Sequence, residues 1–489
     1  MGLNLKNDTI KVLREALQGS SLEPMCYIVG GSVRDLILGR KVSDYDICVA
    51  LPQGNQILAD YLFSKGFCSH PKKYKKHGLT TCRMNGALLE ISQTVKDHKR
   101  TGRFAPEIFG NLSEDAFSRD FTVNSLYLRL SDLELLDPTG RGYDDLNNRK
   151  LICIKSADLC FKDDPLRMMR AIRFNVDLGF EIAPDMLDFI ANHASLLQGV
   201  AKDRISDEFK RMMGPSFLLY LQKLINSGLM TALSPTLSRS WEYLAKDLGS
   251  AQNIFAIYER VMDYNTIVLF LFWLGLRYQA IEDKQCSCYE DAWKSVTSSL
   301  NAIGQILVLS NREKSLLSDL GLVYLYLIAK GLSRVNELPD MQCLAEMFSS
   351  HYDQLKQLLR WGRISNWHEL GEQELLKQMY DSEDHHSLQA FPYNGNHILP
   401  LLKKHDYKYT GLILLLIHLN WLQNNIHNYS DLTEVVNDLV GNPNLSAAWE
   451  LYRSNPSKAA ILWHLSTFKR YHLIIQTESR SRSEEKPDI

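Results

Sequence analysis

The stretch from Tyr27 to Val49, YIVGGSVRDLILGRKVSDYDICV, constrains this chain more than any other. A short apolar run, Tyr27-Ile28-Val29, meets Gly30-Gly31-Ser32. Val33-Arg34-Asp35 then opens an amphipathic segment, and Asp44-Tyr45-Asp46 leads into Ile47-Cys48-Val49. The pattern predicts strand, glycine turn, helix and strand. Alternate strand residues point to opposite faces, so Asp44 and Asp46 project from one face. Two carboxylates held that close repel unless a cation sits between them. Mg2+ suits the pair, because it takes carboxylate and phosphate oxygens and keeps waters in the rest of its shell. Glycines let backbone N–H groups approach an anion, and Arg34 offers a charge-assisted contact to the same phosphate. An isolated Asp-x-Asp is most simply a pair of solvated turn residues. The Gly-Gly-x-x-Arg-Asp run upstream shifts the reading to a site for a metal-bound nucleoside triphosphate.

Downstream segments add chemistry to this frame. Asn55 to Lys65 reads as a polar helix, followed by a basic stretch from Lys72 to Gly78, either a phosphate-contacting face or a solvated charge run. Ala87 to Ser92 reads as a strand that brings Glu90 beside the two aspartates, since an acid in an apolar run is costly to bury alone. Lys96 to Glu107, basic and broken by Gly102 and Pro106, reads as a loop. A capping-type start at Leu112-Ser113-Glu114-Asp115 predicts a helix running through Ser118-Arg119-Asp120-Phe121-Thr122-Val123-Asn124-Ser125-Leu126. Asp120 and Asn124 then lie one turn apart beside Arg119, suited to ribose hydroxyls; an exposed helical ion pair is the simpler alternative. Leu136 to Gly140 forms a turn after a strand, and another begins at Asp144. Phe161 to Phe174 reads as a helix in which Asp164 and Arg167, three apart, share a face. A carboxylate beside a guanidinium accepts from the amino group of cytosine or adenine and repels the carbonyl oxygen of uracil or guanine.

GGSVRD followed by SDYDI resembles motif A of the class II nucleotidyltransferases, the family of tRNA CCA-adding enzymes and bacterial poly(A) polymerases. Arg119-Asp120-Phe121-Thr122-Val123-Asn124-Ser125-Leu126 resembles its motif B, with Ser118 in place of the first arginine. Asp163-Asp164-Pro165-Leu166-Arg167 resembles its Glu-Asp-x-x-Arg motif, with Arg170-Ala171-Ile172-Arg173-Phe174 as the continuation. Lys76-His77-Gly78-Leu79-Thr80-Thr81 is similar to a strand entry of the CCA-adding enzymes, and Tyr393 to Leu399 with Gly411 to Leu414 resembles their tail. After Glu90 the family has threonine, an aromatic and arginine; here Gln93-Thr94-Val95-Lys96 stands instead.

The resemblance implies Asp44, Asp46 and Glu90 as catalytic, with Asp44 and Asp46 holding Mg2+. It implies Gly30, Gly31, Ser32, Arg34, Arg119, Asp120, Asn124, Asp164, Arg167, Arg170 and Arg173 as nucleotide-binding. The implied reaction is template-independent addition of C and A residues from CTP and ATP to the 3′ end of tRNA. The alternatives are a poly(A) polymerase, an enzyme adding only the A or only the two C residues, and an inactive RNA-binding protein of the same fold.

The expected fold class is an α+β nucleotidyltransferase head, a small mixed sheet with helices, followed by an all-α neck, body and tail. The expected divisions are head 1–150, neck 151–215, body 216–350, tail 351–475 and a disordered charged end 476–489. At 489 residues the chain is long enough for several domains. A formal charge of −2 is compatible with RNA, because binding needs only a local basic face. Nine cysteines lack disulfide or zinc spacing, Cys286 and Cys288 being the one close pair, so reduced thiols are expected. His405-Asp406 reads as a surface turn. The start of the chain lacks the apolar core of a signal peptide. The apolar runs Ile267 to Leu276 and Leu412 to Ile417 are too short to span a bilayer and read as buried core helices, so no membrane partner and a cytoplasmic location are expected.

Overall fold

The computed structural model describes residues 8–74, 78–96, 108–247, 263–282, 289–330, 354, 393–422 and 428–454. The chain divides into two compact units, Met1–Met212 with Ser216–Leu233, and Met213–Pro215 with Ser234–Ile489.

The first unit is built on a mixed seven-stranded sheet. Its strands are β1 (Cys26–Val29), β2 (Asp44–Val49), β3 (Lys72–Tyr74), β4 (Leu79–Met84), β5 (Ala87–Gln93), β6 (Tyr127–Arg129) and β7 (Leu135–Leu136), in spatial order β3-β4-β5-β2-β1-β6-β7. Only β2 and β5 pair in parallel within it. Alternation along β2 sends Tyr45, Ile47 and Val49 into the core beneath α3 (Gly54–Ser64), where Leu58, Ala59 and Leu62 are buried. Asp44 and Asp46 emerge on the opposite face. α1 (Asp8–Leu17) is tied to α3 by the Tyr61 hydroxyl, which donates to the Ala16 carbonyl at 3.0 Å. α2 (Gly31–Ile37) links β1 to β2 as the glycine turn predicts.

The helix expected across 112–126 is shorter. α4 (Leu112–Ser118) starts with a complete capping box between Asn111 and Glu114 and stops at Ser118, where Arg119 turns extended. The reason is tertiary: Phe121 bridges Cys153, and Thr122 N–H donates to the Ile152 carbonyl at 3.0 Å, so the backbone leaves the helix to pair with a distant segment. A short 3-10 turn, Thr122–Asn124, follows. The turn expected at Asp144 is part of a short helix, α5 (Gly142–Asn147).

The single helix expected over 161–174 is two, α6 (Ala157–Asp163) and α7 (Leu166–Leu178), broken at Asp164-Pro165 as the pre-proline restriction requires. Strands β8 (Lys150–Leu151) and β9 (Glu181–Ile182) pair in parallel, and α8 (Pro184–His193), α9 (Lys202–Lys210), α10 (Phe217–Asn226) and α11 (Leu229–Leu233) complete the unit.

The described part of the second unit is helical. The run Ile267 to Leu276 lies in the helix Tyr264–Glu282, which packs against the helix Tyr289–Gly304. A Cβ on Gly275 would come within 2.5 Å of Ser299 Oγ, itself bonded to the Phe272 carbonyl, so glycine permits this close crossing. Leu412 and Leu416 of the helix Thr410–Leu422 share a core with Val436 and Leu439. Of the His405-Asp406 pair, His405 is exposed as a surface turn predicts, whereas Asp406 is buried, both within a 3-10 segment, Lys404–Tyr409. Among the described residues no helix is long and apolar enough to cross a membrane. Lys75 to His77, most of the loop after Lys96, the Cys286/Cys288 pair and the charged C-terminal end lie outside the described residues.

Candidate active site

The parallel pairing of β2 with β5 sets Asp46 directly beside Glu90, and Asp44 beside Leu88. Register partners project from the same face, so Asp44, Asp46 and Glu90 form one acidic surface, Asp44 exposed and the other two half-buried. Burial, and then the charge of Glu90, push the Asp46 carboxyl up to about 6, against the lowering effects of Arg119, Arg34 and Ser32. No ion pair to these three acids occurs among the described residues. Nor does any group of three His, Cys, Asp or Glu side chains there enclose a metal unaided. An acidic face open on one side suits an ion that completes its shell with substrate oxygens and water, as Mg2+ does.

Ser32 holds this face in register. Its hydroxyl donates to the Asp44 carbonyl at 3.1 Å and accepts from Asp46 N–H at 3.0 Å, bracing the first turn of β2 from α2. Gly30 sits at φ 63° and ψ −130°, a conformation open to glycine. A Cβ there would lie 3.0 Å from Arg119 Nη1 and 4.0 Å from Asp46 Oδ2, so the missing side chain lets a guanidinium reach the aspartate's edge. The Gly30 N–H is already given to the Leu126 carbonyl at 3.1 Å and is therefore not free for an anion. Arg119 is aimed by Asp115, which takes Nε and Nη2 at 3.2 and 2.9 Å, and by the Tyr127 hydroxyl at 3.0 Å.

Arg34 is buried, its fork spent on Asp35 at 3.0 Å and its Nη1 on Asn124 Oδ1 at 2.6 Å. Asn124 Nδ2 in turn donates to Asp120 Oδ1 at 3.0 Å, so the predicted Asp120/Asn124 neighbourhood survives the loss of the helix. Asp120 is buried and its cation is Arg170, at 2.7 to 2.8 Å, rather than the adjacent Arg119. Burial alone would raise the Asp120 carboxyl; Arg170 and the Asn124 amide outweigh it and bring it down to about 2. Arg173, one turn on, pairs with Glu208 at 2.6 Å and Asp177 at 3.2 Å. Phe174 is the hub: the guanidiniums of Arg34, Arg170 and Arg173 lie 5.1, 5.3 and 4.3 Å from its ring centre.

Asp164 and Arg167 do not pair with each other. Asp164 caps Leu166 N–H and takes both arms of Arg204 at 3.1 and 2.7 Å. Arg167 donates to the Ser118 carbonyl at 2.8 Å and faces Asp163 at 3.5 Å. The break between α6 and α7 at Pro165 explains this, because Asp164 precedes the helix that carries Arg167.

Sequence reading missed Arg204, Glu208, Phe174 and Asp115. Glu208 was detectable, since it lies three past Ile205 and next to Phe209, on the apolar side of α9, where an acid needs a partner.

A mixed sheet bearing paired acids, with a glycine turn and an arginine-lined helix beside it, has the layout of a nucleotidyltransferase head, and over this region the chain is similar to the class II nucleotidyltransferases. Residues 26–152 match the poly A polymerase head domain, and 179–240 match a probable RNA and SrmB-binding site of polymerase A. The chain is 33% identical to the CCA-adding enzyme of Geobacillus thermodenitrificans over 225 residues, 45% of this chain and 53% of that protein. It is 31% identical to poly(A) polymerase I of Salmonella typhi over 230 residues, 44% of this chain and 47% of that one. The chain thus spans about half the length of the curated relatives it matches. In fold it is similar to an apo CCA-adding enzyme, with TM-score 0.54 and 18% identity over 90% of this chain and 95% of the other. It is also similar to the Thermotoga maritima CCA-adding enzyme complexed with tRNA, with TM-score 0.51 and 19% identity over 88% and 95%.

Proposed function

We propose that this protein extends the 3′ end of tRNA with C and A residues, using CTP and ATP and no nucleic-acid template. The observation that carries the reading is the register pair Asp46–Glu90 with Asp44 on the same face, bordered by Arg119 through the gap at Gly30. Asp44 and Asp46, with Glu90 alongside, would hold Mg2+. Bound there, the metal supplies the Lewis acid that activates the terminal 3′-hydroxyl and offsets charge on the departing pyrophosphate. Ser32 keeps the two aspartates in register, and Arg119 meets the phosphates. Asp120 fixes Asn124 and Arg170 on the ribose side, and buried Arg34 and Arg173 act by bracing that arrangement around Phe174. Asp164 accepts the amino group of cytosine or adenine while Arg167 donates to the ring acceptor. Both CCA-adding enzymes and poly(A) polymerases stand among the relatives at similar identity, so a poly(A) polymerase is the second reading. The similarity in fold to CCA-adding enzymes over 90% of the chain favours the first.

Incubation of the protein with tRNA lacking its last three nucleotides, and separately with unstructured RNA, each with CTP and ATP, separates the two. Addition of three residues to the tRNA is expected. Long adenosine tracts on the unstructured RNA would overturn the choice, and a product one or two residues long would identify a partial enzyme.

A further inference from the structure

The acidic face continues into an unassigned basic one. Asp46 is the register partner of Glu90, Glu90 of Thr81, and Thr81 of Lys72, so the four form one row across β2, β5, β4 and β3. The next row runs from Asp44 through Leu88 to Arg83. Lys73 points the other way, to Asp60 of α3 at 2.7 Å, which places Lys72 and Tyr74 on the face of the acids. A cleft of about 620 Å3 lies over this outer half of the sheet, walled by His70, Lys72, Tyr74, Thr81, Arg83 and Glu90. Lys72, Arg83 and His70 are exposed, and Tyr74 has 46% of its surface free.

We infer that this cleft binds the single-stranded end of the RNA being extended, an assignment that rests on the activity proposed above. In-line displacement places the attacking hydroxyl and the leaving pyrophosphate on opposite sides of the phosphorus. The residues that meet the nucleotide, Arg119, Asn124 and Asp120, lie on the β1 side of Asp46, so the acceptor strand arrives from the β5 side. Exposed cations interleaved with an aromatic ring are the chemistry that tracks a single-stranded backbone and stacks its bases. Lys72, three strands from Asp46, stands about 14 Å away at the usual strand spacing, within reach of phosphates upstream of the reacting end.

The test is a Lys72→Gln/Arg83→Gln protein, with Lys73→Gln as the control on the other face and thermal melting to verify folding. Binding of a fluorescent single-stranded RNA is measured by anisotropy across salt concentrations, and KM is measured separately for RNA and for ATP. The double variant is expected to bind RNA about tenfold more weakly at 0.1 M salt, and its log–log salt slope to be shallower by about 1.4, two phosphate contacts' worth. KM for RNA rises with it while KM for ATP stays. Tyr74→Ala is expected to weaken binding with the salt slope unchanged, and it provides the reading if the double variant does not fold. Wild-type affinity and slope in the variants overturn the cleft assignment, as does a rise in KM for ATP alone, which would place a triphosphate there. RNA binding that depends on the cleft without any nucleotide incorporation would sustain the cleft and refute the activity.

Discussion

Asp46 and Asp120 are the same residue type, both withdrawn from water in the same unit, and their carboxyls are displaced in opposite directions. Asp46, facing Glu90, is pushed up to about 6; Asp120, gripped by Arg170 and Asn124, is held at about 2. The difference lies in who supplies the positive charge. Around Asp120 the chain provides it and the site is complete. On the β2–β5 face the described residues leave the negative charge in excess, which the proposed Mg2+ would relieve.

Replacing Asp46 should produce the largest effect. Asp46→Asn is expected to lower nucleotide incorporation about a thousandfold or more. The same change should leave the metal-free protein no less stable at pH 7. A carboxyl whose folded value lies near 6, above its unfolded value, opposes folding increasingly as pH rises between the two. Thermal melts without metal should therefore fall between pH 4 and 7 less steeply in the variant. In the wild type, Mg2+ should raise the melting temperature more at pH 7.5 than at pH 5.5, where protons compete for Asp46. A melt of Asp46→Asn well below wild type at pH 7 would dissolve the contrast.

Asp120→Asn tests the other side. Removing one member of a buried pair leaves Arg170 short of its counter-charge and is expected to cost about 3 kcal/mol at neutral pH. Because the folded value lies below the unfolded one, Asp120's contribution is present above about 4 and fades as pH falls through about 2. Denaturant titrations at pH 7 and pH 2.5 should show the variant's deficit shrinking; an unchanged deficit would mean that shape, not charge, holds the site.

Gly30→Ala sharpens the comparison from between the two aspartates. Its positive φ and the 3.0 Å approach to Arg119 predict a loss of about 2 kcal/mol, together with a higher KM for nucleotide as Arg119 is displaced. Arg204→Gln should be the mildest in stability, under about 1 kcal/mol, since the Asp164–Arg204 pair is partly exposed. Its signature is fidelity: discrimination of CTP and ATP against UTP and GTP, followed by single-turnover incorporation, should fall by about tenfold if Asp164 is the base reader.

Much of the acidic face was legible because its causes are local. Strand alternation placed Asp44 with Asp46, and an acid within an apolar run pointed to Glu90. The α+β head and the buried helices at 267–276 and 412–417 were equally plain, the helices because each is an unbroken apolar run too short to span a bilayer. The end of α4 was not legible, because the pairing of Phe121 with Cys153 draws the chain out of the helix from thirty-two residues away. Nor were the partners of the charged residues. Spacing suggested Asp164 with Arg167 and Arg119 with Asp120, whereas Asp164 chose Arg204 and Asp120 chose Arg170. A backbone period says which face a side chain occupies; only the packing of distant segments decides which opposite charge it meets.

Phe174 has a practical consequence for anyone recombining such proteins. Its ring receives one guanidinium from the helix after the glycine turn and two from its own helix. A transplant cut near residue 150 would strip the seven-stranded sheet of that aromatic bearing and leave Arg34 facing a foreign surface. The smallest portable cassette therefore keeps the ring's helix together with α9, which supplies Glu208 to Arg173 and Arg204 to Asp164, so chimeras joined beyond α9 should retain nucleotide incorporation where those joined near residue 150 lose it.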